Sequence, residues 1–108
     1  MAKVQVTVNY SRLVPSGKVQ VVVAPKVAKV DKGDEVQFTR NGMPGRMRIT
    51  FKEPHLFSRG VLDGDGSITV AVKLSARTTY RCELFDNAGN LLGSADGDEG
   101  GAFEPGGN

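Results

Sequence analysis

Apolar and polar residues alternate in run after run of this chain. Val4, Val6 and Val8 are separated by Gln5 and Thr7, and Val19, Val21 and Val23 repeat the spacing until Pro25 ends the run. A period of two puts every second side chain on one face of a strand, so each run predicts a strand with one face buried. Val27–Val30 is a shorter run of the same kind, and Val36 and Phe38 share one face of Glu35–Arg40. Arg46–Lys52 alternates strictly, with Met47, Ile49 and Phe51 on one side and Arg46, Arg48, Thr50 and Lys52 on the other. Ile68, Val70 and Val72 form another run. In Thr78–Leu84 the residues Tyr80, Cys82 and Leu84 are expected inward and Thr79, Arg81 and Glu83 outward. Leu91–Ser94 can add a short closing strand.

Turn chemistry separates these runs. Pro15-Ser16-Gly17, Asp31–Asp34, Asn41–Gly45, Asp63–Gly66 and Asp86–Asn90 are rich in the Gly, Pro, Asn and Asp that turns require. Glu53–Gly60 has no clear period and is expected to hold a short helix or an irregular link. No sustained 3.6-residue period and no internal repeat stand out. The expectation is an all-β sandwich of about seven or eight strands. Residues 1–95 are expected to form it. Residues 96–108, acidic and glycine-rich, are expected to be a tail outside the core that Phe103 at most docks locally.

The 108 residues suit one domain, and no apolar run approaches the length of a membrane helix. The amino-terminal residues lack an apolar signal core, so no signal peptide is expected, and a cytoplasmic protein if Met1 is the native start. All 14 Lys and Arg lie in residues 1–81 with 6 acids, whereas residues 82–108 hold 6 acids and no base. The strip Arg46, Arg48 and Lys52, with Arg40 nearby, is therefore the candidate binding surface. The acidic residues 96–104 are a competing partner for it within the chain. Another protein is the expected partner. Nucleic acid is the weaker choice, because no aromatic interleaves the strip to stack on bases.

One cysteine, Cys82, and one histidine, His55, exclude an internal disulfide and most multi-histidine metal sites. Asp63–Ser67 lacks the carboxylate that would complete a calcium loop and reads as a turn. No nucleophile–base pair, carboxylate dyad or phosphate-cradling loop emerges, so an enzyme is not expected, nor is a cofactor.

Two segments carry a family resemblance. Lys32-Gly-Asp-Glu-Val-Gln-Phe38, followed by Asn41-Gly-Met-Pro-Gly-Arg-Met47 and Ile49-Thr-Phe51, is similar to the Gly-Asp-x-Val-x-aromatic strand and proline-bearing ligand loop of the cupredoxins, the blue copper proteins. Thr79-Tyr-Arg-Cys-Glu-Leu-Phe-Asp-Asn-Ala-Gly-Asn-Leu-Leu-Gly93 resembles their Tyr-x-Cys-x-x-His loop. The resemblance implies a Greek-key β-sandwich. It also implies a ligand set of two histidines, a cysteine and a methionine, of which only the cysteine survives here. The first histidine position falls at Arg46 or Met47, the second at Phe85 or Asn87, and the methionine at Asn90 or Leu91. The expectation is a copper-free cupredoxin-like module that binds another macromolecule or serves as a structural piece. The alternative is a nonstandard copper site, drawn from Cys82, His55, Met47 and Met43, or an electron-transfer protein.

Overall fold

A computed structural model describes residues 3–64, 67–72, 76–95 and 101–105, with the side chains of 67–71 left undescribed. The described residues form ten strands: β1 (Lys3–Arg12), β2 (Val19–Ala24), β3 (Val27–Val30), β4 (Glu35–Gly42), β5 (Arg46–Phe51), β6 (Val61–Gly64), β7 (Ser67–Ala71), β8 (Thr78–Phe85), β9 (Leu91–Ala95) and β10 (Gly101–Pro105). A single 3-10 turn, Pro54–Leu56, interrupts the link after β5. The fold is all-β, as expected. Among the described residues no helix is long and apolar enough to cross a membrane.

The strands lie in two mixed sheets. The four-stranded sheet has the order β2-β1-β4-β7; the six-stranded sheet runs β3-β10-β8-β5-β6, with β9 added to β8. β1/β4 and β10/β3 are parallel pairs, and the remaining pairs of strands are antiparallel. The chain changes sheet between β2 and β3, where Pro25 removes a backbone donor and stops β2. One edge of β8 is shared: its first residues pair with β10, and Cys82–Phe85 pair with β9.

The valine-rich inner faces meet between the sheets. Val6, Val8, Val36, Phe38, Met47, Ile49, Leu62, Cys82, Leu84 and Phe103 are fully buried. Phe51 stacks on Phe57 at 3.8 Å, and Phe38 meets Tyr80 edge-on at 5.1 Å. Such geometries follow from the quadrupole of the rings.

Two strands correct the sequence-based expectation. Val61–Gly64 is β6, paired with β5, although its apolar residues are too few to show a period. The larger correction concerns the chain end. Residues 101–105 form β10 inside the six-stranded sheet, and Ala102 and Phe103 are buried, so the sandwich does not end at residue 95. Residues 96–100 and 106–108 lie outside the described residues. A repeat also emerges. In the parallel β1/β4 register, Val4, Gln5, Thr7 and Asn9 stand opposite Val36, Gln37, Thr39 and Asn41. The Gln5 amide donates to Gln37 at 2.9 Å, and the Asn41 amide to Asn9 at 2.8 Å.

Candidate binding surface at the loop end

The links between β1 and β2, β4 and β5, and β8 and β9 gather at one end of the sandwich. Backbone geometry holds the second of these in place. Gly42 has φ +94°, and a side chain there would meet the Tyr10 backbone oxygen at 2.1 Å. Gly45 has φ +144° and sits against the Phe85 backbone oxygen. Only glycine takes such angles without strain. Asp86 organises the third link. Its carboxylate accepts from the N–H groups of Ala88 at 2.9 Å and Asn90 at 2.8 Å, and from the Asn90 side chain at 3.1 Å. The backbone N–H of Asn90 is the largest cause holding the Asp86 carboxyl below its usual range.

Arg46 and Arg48 lie on the outer face of β5 as expected, and both reach Asp63 on β6. Arg46 Nε donates to Oδ1 at 2.5 Å, and Arg48 Nη2 donates to Oδ2 at 3.2 Å. Partial desolvation works against ionisation of Asp63, but the hydrogen bonds and charges of the two guanidiniums prevail and hold its carboxyl below the usual range. Arg48 also lies over the Phe85 ring, 4.9 Å from its centroid, a cation–π contact. Beside this pair is a shallow cleft of about 450 Å³ lined by Arg46, Arg48, Phe85, Asp86, Asn87 and Gly89.

The other candidate residues are scattered. Lys52 follows β5, exposed, its N–H donating to the Thr79 oxygen at 3.1 Å. Arg40 belongs to the other sheet, and its guanidinium donates to the Met43 carbonyl. The acidic chain end does not cover the strip through Glu104: that carboxylate takes Arg77 at 3.2 Å, next to the first residues of β8, whereas Arg46 is opposite Phe85 at the last. Asp63, 15 residues from Arg48 and in a stretch that reads as a turn, supplies the neutralising charge instead. Sequence spacing gives no sign of it, nor of Phe85 beneath Arg48. An aromatic therefore does accompany the arginines.

The donor set does not fit copper. Cys82 is fully buried opposite Ile49, and burial pushes its thiol up to about 12, so it is protonated at neutral pH. Met47 is a diagonal neighbour on β5, opposite Leu84. Met43 precedes β5 and exposed His55 follows it, which separates them by about 20 Å of extended chain. Arg46 and Phe85, at two of the positions where the resemblance would set histidines, are cross-strand partners and cannot act as ligands. No group of three or more His, Cys, Asp or Glu gathers among the described residues.

No protein-family model matches the sequence, and no curated protein is significantly similar to it.

Proposed function

We propose that this chain is a copper-free, cupredoxin-like binding module, and that it docks another protein through Arg46, Arg48 and the cleft beside Phe85. The observation that carries the reading is the common anchoring of both arginines on the Asp63 carboxylate, with Arg48 held also over the Phe85 ring. Side chains held in this way lose little entropy when a partner arrives, and a guanidinium carries five donors, more than Asp63 engages on Arg48. The mixed sheets, the parallel β1/β4 and β3/β10 pairs and the repeated passage of the chain between sheets support a Greek-key sandwich of cupredoxin type. The protonated, enclosed Cys82 thiol favours binding over redox work.

The test uses the full chain and an Arg46→Glu, Arg48→Glu, Lys52→Glu variant, both immobilised and exposed to one cell extract at moderate salt. Proteins retained by the wild type and lost from the folded variant support the reading. Equal retention of every protein reduces the strip to a solvated face.

A further inference from the structure

The β1–β2 hairpin runs on past the strand beside it. β4 leaves β1 after the pair Tyr10–Gly42. β2 stays with β1 as Ser11 opposite Gln20 and Arg12 opposite Val19, and Leu13 N–H donates to the Lys18 oxygen at 2.7 Å. Leu13 stands roughly 10 Å along β1 beyond Tyr10. At the tip are Leu13, Val14, Pro15 and Ser16, all exposed. Val14 is 92% exposed, the most of any large hydrophobic residue described, and Leu13 is 43% exposed. Contiguous exposed apolar groups of this kind mark an interaction site.

Two properties suit this tip to an apolar phase. Several of its backbone groups are satisfied from within. Gly17 N–H donates to the Leu13 oxygen at 2.8 Å, Lys18 N–H to the Ser16 hydroxyl at 3.3 Å, and the Arg12 guanidinium to the Gly17 oxygen at 2.8 Å. Pro15 has no N–H to satisfy. Unpaired backbone groups are what exclude most loops from lipid. In addition, Leu13, Val14 and Pro15 carry aliphatic side chains only, which need neither a shaped pocket nor a hydrogen-bonding partner opposite them.

Charge selects the surface that receives the tip. Residues 1–30 contain Lys3, Arg12, Lys18, Lys26 and Lys29 and no acid. Arg12 and Lys18, both exposed, flank the tip on its two sides. Asp86 shares with Arg12 a cleft of about 340 Å³, but its carboxylate is turned to the N–H groups of Ala88 and Asn90. A second copy docked tip to tip would bring like charges together. Cations set behind an aliphatic tip match a surface that is anionic outside and apolar beneath, the order that a leaflet of acidic lipids presents. We propose that the β1–β2 hairpin docks the protein on an anionic lipid surface, with Leu13 and Val14 entering the interface and Arg12 and Lys18 at the level of the headgroup phosphates. This docking does not depend on the arginine pair of β5.

The test mixes the full chain with vesicles of phosphatidylcholine alone or with phosphatidylserine added, and sedimentation measures the bound fraction. Binding to the phosphatidylserine vesicles should be roughly tenfold tighter at low salt. Val14→Trp puts an indole at the tip of a chain that contains no tryptophan. Its emission should shift to the blue on those vesicles and be quenched by brominated acyl chains. Val22→Trp, at an exposed position of β2 away from the tip, should show neither change. Val14→Asp alters an exposed side chain and should abolish binding, and Lys18→Glu should weaken it roughly tenfold. The proposal is overturned by absence of binding to the acidic vesicles, by equal binding to both kinds of vesicle, by matching spectral changes at Val14→Trp and Val22→Trp, or by undiminished binding of Val14→Asp. A concentration-dependent dimer that Val14→Asp abolishes, in place of vesicle binding, would overturn it as well and assign the tip to a second copy.

Discussion

Tyr80 and Gly101 stand opposite each other across β8 and β10, and the Tyr80 ring occupies the space that a side chain at Gly101 would need. A methyl group there would lie 2.0 Å from the Tyr80 hydroxyl. The contact ties the end of the chain to the centre of the core.

Gly101→Ala is therefore expected to destabilise by about 1–3 kcal/mol, the usual cost of overpacking. Phe103→Ala, which empties a fully buried position, should cost about 3–5 kcal/mol. Urea midpoints measure both. If neither substitution moves the midpoint, β10 is not part of the cooperative unit.

Two tyrosines should answer differently to loss of the hydroxyl. The Tyr80 hydroxyl is buried with no partner among the described residues, whereas the Tyr10 hydroxyl donates to the Glu83 carbonyl at 3.3 Å. Tyr80→Phe should leave stability unchanged or raise it by about 1 kcal/mol, and Tyr10→Phe should lower it by a similar amount. Equal losses in thermal melts would mean that Tyr80 also has a partner.

Burial pushes the Cys82 thiol up to about 12 from an ordinary value of 9.0. The unfolded chain ionises this thiol first, so its contribution is fully present below about pH 9 and is lost as pH rises towards 12. The slope for one such group is roughly 1.4 kcal/mol per pH unit. Cys82→Ala should be less stable at pH 7 yet lose stability less steeply between these limits. Parallel pH–stability curves would deny the assignment. Native Cys82 should also react with thiol reagents far more slowly than a free thiol.

Gly42→Ala combines a disfavoured backbone angle with contact on the Tyr10 carbonyl. A loss of at least about 2 kcal/mol in chemical denaturation is expected. A loss below about 0.5 kcal/mol would show that the β4–β5 link is not held against β1.

Much of the fold was legible because two-residue periodicity reports burial directly. Tyr80, Cys82 and Leu84 point inward, and Arg46 and Arg48 point outward, because adjacent side chains on a strand take opposite faces. β10 escaped notice because Gly101-Ala-Phe-Glu-Pro105 carries one large apolar residue among turn formers. It becomes a strand only because β3 and β8 leave a slot between them. The β1/β4 repeat, 32 residues apart, became visible only when parallel pairing set Gln5 beside Gln37 and Asn9 beside Asn41.

By itself, the sequence determined the class of the fold, the inward and outward faces of most strands and the shortage of metal ligands, all of which depend on residue type and local spacing. Tertiary structure alone decided which distant residues meet. It placed Asp63 and Phe85 against Arg46 and Arg48, brought Gly93 of β9 against Val19 of β2, and set His55 and Met43 at opposite ends of β5. Those outcomes depend on strand order and register, which only the packing of the two sheets against each other selects.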